Sequence, residues 1–411
     1  MTFHVDSEVG TLRQVILHKP GIELLRLTPS NVDELLFDDI MWAERAREEH
    51  EAFAQVLTDL GAQVHSYHRL LAEAIEVDGA REFLRERLTT PSMFGPALSD
   101  PLKEFLSNHD AGELAEILIG GLLKREIAPH LHGTSSLLLE YLDDDDFLLA
   151  PLPNHLFQRD NSAWIYSGVS INPMARPARQ RETINSRVIY NFHPMFTAES
   201  FDFYYGNDSR HHAPATIEGG DILVIGNGHV MIGLSERTAP QGIEVLASAL
   251  FRSGNVHTAI VVELPRERAF MHLDTAMTQV DRDAFSVYPY LPGTLRSFTL
   301  RAKESGGYTV TENDDVWPVV ADALGVEQLR VLRAPIDRLE AARAQWDDGN
   351  NFLAAAPGVV IGYERNNTTN KFLGDNGIQV IPIAGNELGR GRGGPRCMSC
   401  PIERDALPQD R

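Results

Sequence analysis

Cysteine is the scarcest reactive residue in this chain: Cys397 and Cys400 are the two among 411 residues. Two thiols cannot build a disulfide framework, so a reducing cytoplasm is the expected compartment. Long apolar runs are missing too. The longest, such as 117–123, fall far short of the roughly 20 residues that cross a bilayer. Positive charge is in deficit, with 37 Lys and Arg against 58 Asp and Glu and a net charge of -21. A nucleic-acid binder needs a basic face, so that class is excluded. The first residues carry Asp6 and Glu8 where a secretion signal would be basic and then apolar. Neither nucleic acid nor membrane is an expected partner. The acidic balance suits a cationic small molecule.

What is present begins near the C-terminus, in 387–401 (ELGRGRGGPRCMSCP). Glycines at 389, 391, 393 and 394 precede Cys397, and Arg390, Arg392 and Arg396 lie among them. Glycine serves where backbone must move or approach a ligand closely. Neighbouring cations favour the thiolate, the nucleophilic form of cysteine. The segment therefore reads as a cationic flap carrying a covalent nucleophile, with an incidental buried cysteine as the plainer reading.

A weak repeat runs through the middle of the chain. Asp160, Asp221, Asp274 and Asn350 each stand eleven positions before an apolar residue in a second apolar run, namely Ile171, Ile232, Phe285 and Ile361. Between them lie a strand-like run and a turn, and the Asn227-Gly228 turn is a strong hairpin signal. The pattern predicts helices over 241–251 and 314–324. An opening unit combines a strand from Leu12, a helix over 41–60 and a returning strand from Gln63. About five α/β units result, and radial repetition around a centre is the expected arrangement. Residues 71–142 break the pattern with helical character, and Ser99-Asp100-Pro101 and Asp110-Ala111 offer helix starts. The expected organisation is a catalytic α/β unit over 1–70 and 143–411 with a helical insertion at 71–142.

Equivalent positions of radial units converge, which would gather Asp160, Glu218, Asp221, His272 and Asp274 in one pocket. Such a pocket suits either a divalent metal or an organic cation. Only the cation gives a cysteine nucleophile something to attack. A guanidinium is planar with paired N–H donors, so Asp160 and Asp274 can each grip it. Cys397 would attack its central carbon, and His272, held by Glu218, would protonate departing ammonia and then activate water. That route requires neither metal nor cofactor. Arg179, Arg237 and Arg392 are candidate partners for an α-carboxylate, and Asn154 for an amino-acid head group.

These motifs resemble the arginine deiminases, guanidine-modifying enzymes of the pentein superfamily. The stretches 27–40, 152–166, 218–226, 233–238, 271–275 and 387–401 stand in the expected order along nearly the whole chain. The resemblance implies a five-fold pseudosymmetric α/β propeller with a helical insertion, a homo-oligomer, and hydrolysis of L-arginine to L-citrulline and ammonia. It carries the nucleophile onto Cys397, the acid/base pair onto His272 and Glu218, and guanidinium binding onto Asp160 and Asp274. It makes Asn154, Arg179, Arg237 and Arg392 head-group contacts, with Asp221 a substrate-side or supporting carboxylate. A sister enzyme on the same scaffold (an amidinotransferase, or an agmatine or methylarginine hydrolase) shares these steps. A zinc or redox protein built on Cys397-Met-Ser-Cys400 is the more distant alternative, and a structural zinc would need two further ligands.

Overall fold

The computed structural model describes residues 3–131, 133–206 and 212–407. Its organising feature is one connectivity used five times. A strand forms an antiparallel pair with its successor in the motif, and the second strand then pairs in parallel with a third. Ser162–Ile165, Gly168–Ile171 and Asp202–Tyr205 make one such sheet. Ile222–Gly226, His229–Leu234 and Thr258–Glu263 make the next. Met277–Asp281, Ala284–Val287 and Arg330–Leu332 follow, and then Leu353–Ala356, Val359–Tyr363 and Gln379–Ile383. The fifth joins the two ends of the chain. Its first strand is Ser399–Arg404, which pairs with Leu12–Leu17, and that strand pairs with Gln63–Ser66.

The local chemistry explains each unit. Asn227 and Gly228 both adopt positive φ, 51° and 73°, the conformation a tight two-residue hairpin requires. Parallel strands need a crossover, and the segments between second and third strands supply helices such as Pro240–Ser253. That helix opens with proline in its first turn and ends at Gly254 in the left-handed region, the expected asymmetry. The helix Ala43–Asp59 buries Phe53 and Leu57 completely, worth about 2–3 kcal/mol each.

Two sequence expectations are corrected. The helix expected to start at Ser99 begins at Pro96, behind Gly95, and carries Pro101 inside it. Proline is equally at home in a first helical turn, and Pro96 and Pro101 compete for that place in the sequence. The second sheet has an extra hairpin, Ser297–Ala302 with Tyr308–Asn313, which the repeat did not anticipate. The outer strand is largely exposed and ends in Thr311-Glu312-Asn313, which carries no apolar residue.

The helical stretch opens with Tyr67–Ile75, and Asp110 and Glu113 form a capping box on Ala111–Gly120. Leu71, Leu114 and Leu118 from these helices join Ile165, Val169 and Ile232 from the sheets in one continuous apolar core. No helix among the described residues is long and apolar enough to cross a membrane.

Candidate active site

The positions marked by the repeat are the turns that lead into the first strand of each unit. Asp160 lies in the turn Gln158–Asn161, Asp221 in Gly219–Asp221 and Asp274 in Leu273–Ala276, each directly ahead of its strand. Cys397 stands two residues before Ser399–Arg404 and so occupies the equivalent place in the fifth unit. That equivalence was invisible along the chain, because the fifth hairpin is assembled from both termini.

These turns converge. His272 Nε2 lies 2.8 Å from Glu218 Oε2, and its Nδ1 lies 3.7 Å from Asp160 Oδ1. The Cys397 sulfur lies 3.7 Å from Asp274 Oδ2. All five residues are buried. Leu36, Asn154, Phe157, Asp160, Arg179, Arg237, Arg268, Met271, His272, Thr275, Gly391, Arg392 and Cys397 enclose a cavity of about 20 Å³, room for little more than one water.

Close approach of backbone holds the carboxylates in place. A Cβ on Gly220 would sit 2.7 Å from the His272 ring and 2.9 Å from Asp160 Oδ1, so only glycine lets this turn lie against both. The Gly220 amide donates to Asp160 Oδ1 at 3.1 Å, and Arg179 Nη1 donates to Oδ2 at 2.7 Å. Glu218 accepts from the Ala175 amide at 3.0 Å through its other oxygen. Asp274 Oδ2 accepts from Arg396 Nη1 at 2.7 Å, while its Oδ1 is buried without a partner. An unsatisfied buried carboxylate oxygen beside a cysteine is an open acceptor for a cationic ligand.

The electrostatics separate the two proton-handling groups. Burial would lower the His272 pKa, but Asp160, Glu218 and Asp221 outweigh it and raise it to about 9. Burial likewise opposes ionisation of Glu218, yet Arg237, His272 and Arg179 hold its pKa down to about 2. Cys397 moves the other way: burial first, then Asp274, Asp160 and Asp348, push its thiol well above the ordinary value. The expectation that the loop arginines favour a thiolate is therefore corrected. Arg390 turns outward to Asp39, and Arg396 turns inward to Glu8 and Asp274. Arg392 lies 3.6 Å over the Trp346 ring. Residues 391–400 are buried, so the cysteine is not the tip of an exposed flap.

The remaining predicted residues sort by what they touch. Asn154 and Arg237 line the cavity; Asn154 Nδ2 donates to the Leu35 carbonyl at 2.7 Å, and Arg237 Nη1 lies 3.5 Å from Glu218 Oε2. Arg392 has positive φ (63°), and its Nε and Nη1 are buried without a hydrogen-bond partner. Arg179 also lines the cavity, but its donors are engaged by Asp160, by Glu182 at 2.8 and 3.0 Å, and by the Asn154 and Phe157 carbonyls. Asp221 is not among the residues that line the cavity, and it accepts from Ser235 (2.7 Å), Thr238 (2.6 Å) and the Leu273 amide (2.8 Å). Burial raises its pKa to about 7. It acts as a strut between two loops. Arg268, which sequence reasoning missed, lines the entrance and pairs with Asp38 at 2.5 Å.

Asp160, Glu218 and His272 have ligand atoms within 4.8 Å of one another, the spacing of a metal trio. Arg179 and Arg237 stand 4.0 and 3.5 Å from the same Glu218 oxygen that faces His272. Two fixed guanidinium charges on that oxygen disfavour a dication there.

A family model described as arginine deiminase matches residues 33–404. The chain belongs to the arginine deiminase family. Among solved structures, members of the pentein superfamily share its α/β fold. The N-terminal domain of ArgZ, an arginine dihydrolase from cyanobacteria, bound to product, aligns with a TM-score of 0.54 at 13% identity. That alignment covers 96% of this chain and 99% of ArgZ's. DDAH from Pseudomonas aeruginosa, complexed with citrulline, aligns with a TM-score of 0.51 at 15% identity, over 95% of this chain and 99% of that one. Unliganded AgrE aligns at 0.54 and 13% identity, this chain covering 40% of it.

Proposed function

We propose that this arginine deiminase family member hydrolyses L-arginine to L-citrulline and ammonia, with its five sheet units standing around a pseudo-five-fold axis and the cavity at their centre. The observation that carries the reading is that Cys397 and His272 line one cavity, the sulfur 3.7 Å from Asp274, whose second oxygen is unpartnered, and the imidazole 2.8 Å from Glu218. Asp160 and Asp274 bind the guanidinium and keep its central carbon electrophilic. Arrival of that cation neutralises the carboxylates that hold Cys397 as a thiol, so the thiol gives up its proton to solvent water and the thiolate is generated where the substrate sits.

The sulfur then bonds to the guanidinium carbon. Imidazolium His272 gives its proton to a terminal nitrogen, the C–N bond breaks and ammonia leaves. The neutral imidazole takes a proton from water, and the hydroxide adds to the amidino carbon. Collapse breaks the C–S bond and releases the ureido product, citrulline. Arg392, whose buried Nε and Nη1 make no hydrogen bond although Nη1 lies 3.7 Å from Asp38 Oδ2, and Arg237 are the natural partners for the α-carboxylate. That pair favours a free amino acid over agmatine, which has no carboxylate. The closed cavity is smaller than arginine, so binding includes opening of the Leu36 and Arg392 segments that line it.

The deciding experiment measures citrulline and ammonia from L-arginine, for the wild type and for Cys397→Ser. Equal amounts of both products, with turnover abolished and arginine binding retained in the variant, are expected. Ornithine in place of citrulline would make the protein a dihydrolase, and substantial turnover by Cys397→Ser would overturn the covalent route.

A further inference from the structure

Asn351 is not among the residues that the reaction above uses, yet three of its four side-chain hydrogen bonds go to Cys397 and Asp274, and the fourth goes to the adjacent Arg396. Its Oδ1 accepts from the backbone amides of Arg396 (3.1 Å) and Cys397 (3.2 Å). Its Nδ2 donates to the Asp274 carbonyl at 3.1 Å and to the Cys397 sulfur at 3.1 Å. An amide offers two lone pairs and two N–H groups, so the side chain is saturated. It is almost wholly buried, and a Cβ on Gly394 would lie 2.6 Å from its Oδ1, which explains that glycine.

We propose that Asn351 is the positioning residue of the nucleophile: it fixes the Cys397 backbone, ties it to the turn bearing Asp274, and supplies the side-chain N–H that stabilises the thiolate. The inference rests on Cys397 being the nucleophile. The carboxylates around the sulfur work against ionisation, while a backbone hydrogen bond at Gly394 favours it. Asp274 is 3.7 Å away, and Asp160 and Asp348 add to its effect. Among the described residues, the Asn351 amide is the side-chain donor that reaches the sulfur. A donor fixed before reaction needs no reorganisation when charge forms. The same amide links three units of the fold, because Asn351 leads into the strand Leu353–Ala356, Asp274 into Met277–Asp281 and Cys397 into Ser399–Arg404.

The test uses Asn351→Ala and Asn351→Asp in the full chain. Asn351→Asp keeps the oxygen that accepts from the two backbone amides and replaces the donor, so it serves if the alanine variant fails to fold. Two readouts are taken: kcat and KM on L-arginine, and the pH profile of Cys397 alkylation by iodoacetamide, located by peptide mass. For either variant kcat should fall about tenfold or more with KM within about threefold. The alkylation profile should move up by roughly one to two pH units, the size of one hydrogen bond to a charged sulfur. A folded variant with the wild-type alkylation profile would overturn the proposal, whether or not kcat changed. The alkylation readout needs no substrate, so it stands even if arginine proves not to be the substrate.

Discussion

With Asp274 3.7 Å from its sulfur and burial acting in the same direction, Cys397 stays a thiol until something neutralises the carboxylates. His272 is in the opposite condition. It is held protonated to about 9, ready to donate before any substrate arrives. A pH dependence follows. As pH rises through about 9 the imidazolium loses its proton, and acid assistance to the leaving ammonia disappears. The profile of kcat/KM should therefore have a descending limb in that region. Glu218 is one of the carboxylates raising that pKa, so Glu218→Gln should shift the limb to lower pH as well as slow the reaction. A limb that stayed in place would mean another group sets it. The identity of these residues was legible in the sequence, because His272, Asp274 and Glu218 stand beside predicted strand starts. The state of the thiol was not. Sequence gives the presence of Arg390, Arg392 and Arg396 near Cys397, but the direction of each side chain is a tertiary property: Arg390 turns to Asp39, Arg396 to Glu8 and Asp274, and Arg392 to the Trp346 ring. Asn351 was missed for a related reason: its neighbour Asn350 marked the repeat, but an amide carries no charge to advertise which of the two faces the sulfur.

At the scale of elements, the site is a set of short turns, each feeding one strand. Turns were legible where local chemistry dictates them, as at Asn227-Gly228, and where eleven residues separate a polar start from an apolar partner strand. The fifth was not, because its two strands, Ser399–Arg404 and Leu12–Leu17, lie at opposite ends of the chain. No local periodicity can report that pairing. Gly219-Gly220 was read correctly as a place of close approach, though what it approaches is the protein itself: Arg159 backbone, His272 and Asp160. Gly220→Ala is accordingly expected to act on geometry. The added methyl must displace the imidazole or the carboxylate, a clash that typically costs about 1–3 kcal/mol of stability. Catalysis should suffer more than stability does, by about a hundredfold in kcat/KM, since misplacement by about 1 Å has that effect. Steady-state kinetics beside thermal melting would check it; near-normal kinetics would show that the turn relaxes without disturbing the pair.

At the scale of the whole molecule, the chain ends are fastened by the fold and by a buried charge cluster. Ser399–Arg404 and Leu12–Leu17 share a sheet, and Glu8 receives Arg396 Nε at 3.0 Å and Nη2 at 3.1 Å. Burial opposes a charge on Glu8, but Arg396 and Arg159 hold its pKa down to about 2, so it is ionised across the physiological range. Arg396 also grips Asp274, which makes the N-terminal segment a distant support of the guanidinium site. Stability and catalysis can be separated here. Glu8→Ala leaves a buried guanidinium with half its compensation, and breaking such a pair typically costs about 3–5 kcal/mol. It should lower the melting temperature strongly and reduce activity. Replacing both partners with apolar groups, as in Glu8→Leu with Arg396→Met, removes the unpaired guanidinium but strips buried Asp274 of its own partner, so the near-neutral outcome typical of an isolated buried pair applies only in part. The double variant should therefore recover part of the lost melting temperature. Activity should not return with it, because Asp274 would have lost the Arg396 contact that orients its carboxylate. Recovery of both together would mean that Asp274 is held by its backbone turn alone, and that the Glu8–Arg396 pair serves only to close the chain.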